Sequence, residues 1–213
     1  MRRRILISAL TVLFAAPAFA QTPGPAPAPA PAPAPATTPQ RVRGEVKSLV
    51  GNVLTVTTRE GGTATITLAP NYAVAAVIPA TLADAKPGTF IGTAAVGPKD
   101  KLRALEVLIF PEAMKGSGEG HYPWDLMPES TMTNATIESE VTGTDGRELT
   151  VIAKGEKLKV MVPAGVPIVT FAPGTPDMLK PGAKVFIGAQ KAADGTLTAA
   201  RVNAGKDGLT PPM

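Results

Sequence analysis

The chain contains two copies of one module, and that self-similarity limits its fold more than any composition does. Asn52-Val53-Leu54-Thr55-Val56 matches Arg147-Glu148-Leu149-Thr150-Val151, and Lys86-Pro87-Gly88 matches Lys180-Pro181-Gly182. Phe90-Ile91-Gly92 matches Phe186-Ile187-Gly188, and Leu102, Ala104 and Val107 match Leu197, Ala199 and Val202. Four blocks thus recur in one order at a separation of 94 to 96 residues. One supersecondary unit is used twice, over 41–110 and 133–205.

Each copy has the period of strands. Thr63–Leu68 alternates so that Ala64, Ile66 and Leu68 share one face. Gly44–Leu49 and Val53–Thr58 flank Val50-Gly51-Asn52, a short hairpin signal. Ala73–Ile78 reads as a short strand or a buried loop, and Thr81–Ala85 as a helical turn stopped by Pro87-Gly88. Thr89–Val96 and Leu102–Phe110 close the first module. In the second, strands fall near Thr133–Val141, Glu148–Ala153, Lys157–Val162, Lys184–Gln190 and Leu197–Asn203. Five short strands per copy suit a small barrel, because closure removes the edges that such strands would otherwise expose. The prediction is an all-β protein of two tandem five-stranded barrels. Leu54, Val56, Ile66, Phe90, Leu105 and Val107 are expected to fill the first core. Leu149, Val151, Val160, Phe186 and Val202 are expected to fill the second.

The segments outside the modules set destination and chemistry. Arg2–Arg4, the apolar Ile5–Ala15 and Ala18-Phe19-Ala20 form a signal peptide over 1–20, with cleavage expected after Ala20. Ile5–Ala20 is short against the roughly 20 residues of a spanning helix, and no later segment is long and apolar enough to cross a bilayer. The expected destination is the periplasm or the medium. Segment 21–40 is a Pro-Ala spacer, mainly polyproline II, at about 3.1 Å per residue. The net charge of +4 resides mostly in the leader, since its three arginines leave 18 bases against 17 acids. A near-neutral remainder with seven aromatics does not suit a nucleic-acid surface. The absence of cysteine excludes disulfides, thiolate zinc sites and a cysteine nucleophile.

The G-x-V opening strand (Gly44-Glu45-Val46), Leu54-Thr55-Val56, the K-x-G turn (Lys86-Pro87-Gly88) and Asp194-Gly195-Thr196-Leu197-Thr198-Ala199 carry a resemblance. The pattern resembles a secreted bacterial family of unknown function built from tandem OB-like β-barrel repeats. It covers most of 41–205 and implies OB-like barrels, whose open face binds a ligand, but no chemistry.

The connector 111–132 holds the only His, the only Trp and three of the seven Met. A loop of that length is either functional or disordered, and its aromatics argue against disorder. Three readings stand. Tyr122 and Trp124 share a face in an extended run and form a structural clasp over the barrel junction. Alternatively, Met114, His121, Met127 and Met132 supply the thioether and imidazole set that suits a copper ion, Cu(I), or Ag(I), with Trp124 as a cap. That combination is similar to periplasmic copper- and silver-binding OB barrels, although their ligands sit on strands. Thirdly, Ser117, His121 and Asp125 are spaced by four, but glycines and Pro123 forbid the helix that would align them. No catalytic residues and no cofactor are therefore assigned. The expectation is a periplasmic or secreted non-enzymatic binding or scaffolding protein. Its partner would be an envelope protein or a small ligand, and the alternative is soft-metal binding through the connector. Residues 206–213 read as a C-terminal tail.

Overall fold

The computed structural model describes residues 37–143 and 146–213. The leader and most of the spacer lie outside the described residues, and with them the expected cleavage site. Thirteen strands occur among those described: β1 Thr37–Val50, β2 Val53–Thr58, β3 Thr63–Pro79, β4 Phe90–Val96, β5 Leu102–Ala104, β6 Val107–Ile109, β7 Gly120–Pro123, β8 Thr131–Gly143, β9 Gly146–Ala153, β10 Glu156–Pro163, β11 Ile168–Pro173, β12 Lys184–Ala192 and β13 Leu197–Gly205. The only helical elements among these residues are four 3-10 turns, and the protein is all-β as predicted. No described helix is long and apolar enough to cross a membrane.

Alternation drives the strands. In β10, Leu158, Val160 and Val162 point inward, while Lys157 and Lys159 face water and pair with Glu138 and Glu148. The expected helical turn is a single 3-10 turn, Leu82–Asp84, held by the Asp84 carboxylate accepting from the Thr81 N–H and hydroxyl. Both opening strands carry a bulge just after an inward aliphatic residue, at Val46/Ser48 and Ile137/Ser139. Such a bulge bends a strand enough to pair on both sides of a small barrel.

The closure differs from the expected tandem order. One barrel runs β1-β2-β3-β13-β12 and back to β1, with β13 parallel to β3 and the other pairs antiparallel. A second cycle of pairings runs β8-β9-β10-β5-β4 and back to β8, again with one parallel pair, β10–β5. Each ring takes three strands from one repeat and two from the other. The cores mix accordingly: Val202 packs with Leu54, Val56 and Ile66, whereas Val107 packs with Leu149, Val151 and Val160. The expected core lists therefore exchange members. Phe90 is buried but belongs to neither ring core, Leu105 is half-buried, and Phe186 packs in a third cluster between the rings.

That third cluster forms where equivalent segments meet. The far half of β3 pairs antiparallel with β11, its counterpart in the second repeat, with Ala76 opposite Ala172 and Val77 opposite Phe171. The register relates the repeats by an approximate two-fold axis. Three boundaries also shift from expectation. Thr37–Gln40, placed in the spacer, pair with β12, and Pro39 is tolerated because this end of β1 lacks the β2 neighbour. The connector is not a structureless loop, since it contains the turn Glu112–Met114 and β7, which pairs with β8. The C-terminal segment ends with Met213 buried in the third cluster.

Candidate functional site

A cavity of about 210 Å³ opens beside the third cluster, lined by residues of both rings and roofed by the connector. Its walls are mainly aromatic and thioether groups. Phe110 sits 5.2 Å from Phe90 and 6.1 Å from Phe171, centroid to centroid, and Trp124 lies 6.3 Å from Phe186. Met114, Met132 and Met213 also border the space.

Among the described residues, three buried side-chain atoms have no hydrogen-bond partner: Glu106 Oε2, Trp124 Nε1 and Asn203 Oδ1. All three residues line this one cavity. Leaving such a group unsatisfied costs about 1–3 kcal/mol, so a cluster of them needs a reason. The route to Glu106 begins with a bulge. Ala95 pairs with Ala104, yet Gly92 pairs with Leu108, which leaves one extra residue on the second strand between β5 and β6. The second repeat repeats it, with Gln190 opposite Thr198 but Phe186 opposite Asn203. Bulges re-aim side chains, and here the re-aimed positions are Glu106 and, 95 residues on, Arg201.

Glu106 is fully buried. Its Oε1 accepts from the Ala94 N–H at 3.0 Å. Burial pushes its carboxyl up to about 7, against the opposing pull of the Ala94 N–H and the Arg43 charge. Arg201, by contrast, is exposed at the cavity edge, where its Nη1 points to the Met114 sulfur at 3.6 Å. It makes no salt bridge with the described residues.

The connector is pinned from two sides. The Arg41 guanidinium lies 3.8 Å from the centroid of the Trp124 ring, and Tyr122 meets Trp124 edge-on at 6.2 Å. Asp125 accepts from Arg43 at 2.8 Å and lies 3.7 Å from Arg41. Burial raises the Asp125 carboxyl, but the Arg43 hydrogen bond and the two guanidinium charges hold it below its ordinary value. Asn134 Nδ2 donates to the Tyr122 hydroxyl and to the Ser117 and Gly118 carbonyls, which ties down the glycine-rich stretch. Tyr122 and Trp124 therefore share a face, as an extended run requires.

The other residues singled out in the sequence separate. Met114 and Met132 border the cavity, joined by Met213, whereas Met127 is exposed and His121 does not line it. His121 Nδ1 is hydrogen-bonded to the Thr133 hydroxyl at 2.8 Å, and burial together with Lys99 keeps its ring below the usual imidazole range. Asp125 is spent on arginines, so Ser117, His121 and Asp125 do not form a relay. Sequence reasoning missed Glu106, Arg201 and Asn203. The available signal was a lone acid inside the apolar run Ala104–Phe110. Comparison with known proteins finds no matching family model, no matching curated protein and no matching solved structure.

Proposed function

We infer that this chain is a non-enzymatic binding protein of the periplasm or external medium that holds a compact ligand in the cavity beneath the connector. The observation that carries the reading is the convergence of three unpartnered buried polar atoms on one aromatic-walled space. Apolar walls with a few convergent polar groups are the usual composition of a ligand site. The N-terminal Arg-rich, apolar and A-x-A segments support export, and the strand order of each ring supports the OB-like reading. Tyr122 and Trp124 act as the clasp that closes the cavity.

Trp124 is the only tryptophan, so its emission reports on the cavity directly. Trp124→Ala should cost about 2 kcal/mol in denaturant unfolding, below the 3–5 kcal/mol of a fully buried ring because part of the indole faces solvent. His121→Ala should cost about 1 kcal/mol, the worth of one hydrogen bond. Equal losses would remove the clasp.

A second reading has one observation in its favour: three thioethers border the cavity beside Trp124. It is a soft-metal site for Cu(I), now without His121. Titration with Cu(I) under reducing conditions tests it. Saturable quenching of Trp124 that is lost in Met114→Leu/Met132→Leu supports the metal, and no quenching at clear molar excess rejects it.

A further inference from the structure

The two bulged positions carry opposite charges, and that asymmetry says what the cavity is built to take. Along the final strand of each repeat the inward residues correspond in kind: Leu102 with Leu197, Ala104 with Ala199, and Val107 with Val202. Glu106 and Arg201 occupy one equivalent position and differ in sign. Both line the same cavity, one from each ring. A structure with approximate two-fold symmetry thereby acquires a polarised space, acidic on one side and basic on the other.

The unpartnered atoms are of both kinds. Glu106 Oε2, once the carboxyl is ionised above about pH 7, and Asn203 Oδ1 are acceptors that ask for a donor, while Trp124 Nε1–H is a donor that asks for an acceptor. Arg201 adds a guanidinium without a carboxylate partner among the described residues. Arg43 and Arg41, the other cations nearby, are already engaged by Asp125. A monopolar ligand would satisfy one side only. An amine alone leaves the indole N–H unpaired, and a carboxylate alone would place a second anion near Glu106.

Size narrows the class further. The volume of about 210 Å³ exceeds the roughly 150 Å³ that holds a benzene ring, and falls below the roughly 300 Å³ at which drug-sized sites begin. Phe110, Phe171 and Phe186 would surround an apolar body of that size, and their ring faces also favour a nearby ammonium.

Resting on the reading of the cavity as a ligand site, we propose that its ligand is a compact zwitterion with an apolar side chain, an amino acid in chemical class. Its ammonium lies against Glu106 and Asn203, and its carboxylate takes the Trp124 N–H and the Arg201 guanidinium. No covalent step is involved.

The test uses the intact protein and three probes that share one body: L-phenylalanine, 2-phenylethylamine and 3-phenylpropanoate. Trp124 emission and isothermal calorimetry both read binding. L-phenylalanine should bind saturably, and each half-molecule at least about tenfold more weakly. Arg201→Gln, at an exposed position, should reduce L-phenylalanine to the affinity of the amine. Glu106→Gln should reduce it to that of the carboxylate. A half-molecule that binds as tightly as L-phenylalanine, or variants that leave the order unchanged, would overturn the zwitterion while leaving the cavity a ligand site. If none of the three binds but another compact molecule shifts Trp124 saturably, the zwitterion is again rejected alone. If no small molecule perturbs Trp124, both readings fall.

Discussion

Between about pH 5 and about pH 9 the protein should lose roughly 3 kcal/mol of stability through one side chain, Glu106. In the folded state its carboxyl is pushed up to about 7, against an ordinary value of 4.5. Between those values the folded chain binds a proton that the unfolded chain has released. Stability therefore falls as pH rises through this window, and levels off above it. The Arg43 charge moderates the loss and Arg201 shares the cavity, but neither changes its sign. Glu106→Gln keeps an oxygen for the Ala94 N–H and cannot ionise. Its stability should match the parent at about pH 5 and exceed it by roughly 3 kcal/mol at about pH 9. Chemical denaturation of the two proteins across that range, taken as a difference, cancels every other titrating group. A difference that is flat with pH would mean that Glu106 is solvated.

Gly44→Ala should cost about 3 kcal/mol or more, at the upper end of overpacking. Gly44 is where β1 pairs on both edges, with Thr58 of β2 and Val185 of β12. A Cβ there would stand 2.0 Å from the Thr57 carbonyl oxygen. The obstacle is backbone, so no rotamer change relieves it, and the strand would have to open the barrel. Thermal unfolding should show a large fall in midpoint. Gly51→Ala, at a hairpin tip with open space around the added carbon, should cost far less despite its φ of 59°. Comparable losses at both sites would mean that barrel closure at Gly44 is loose.

The strands and the repeat were legible because alternation is local: Thr63–Leu68 or Leu158–Val162 reads the same in sequence and in space. The exchange was not legible, for the same reason. Both repeats present similar inward faces, so Val202 fits the site that Val107 would fill if each repeat closed on itself. The choice depends on where the segments after β3 and β11 lead the chain, and no residue pattern in them records it. The placement of the two connector rings was half legible: Pro123 and the spacing of Tyr122 and Trp124 fixed a shared face. Their partners Arg41, Arg43 and Phe186 are 62 to 83 residues away from Trp124 and carry no local mark. Glu106 was visible as an acid among aliphatic residues, yet only the bulge turns it inward. The Pro-Ala composition concealed the start of β1, because Thr37–Gln40 continue the spacer in sequence but pair with β12 in space.

The cavity exists because each ring borrows two strands from the other repeat, which brings Glu106 and Arg201 to one space. A chain without cysteine allows a direct test of that exchange by engineered cross-links. Glu45 of β1 is the register partner of Lys184 in β12, and their side chains form an ion pair. Antiparallel partners stand about 4.5–5.5 Å apart at Cα, within disulfide reach. If each repeat closed on itself, Glu45 would instead face the segment that leads into β4, beside Thr89. The exchange predicts that Glu45→Cys/Lys184→Cys oxidises to a cross-linked monomer, mapped by mass spectrometry, while Glu45→Cys/Thr89→Cys stays reduced. Formation of the 45–89 bond without the 45–184 bond would contradict it.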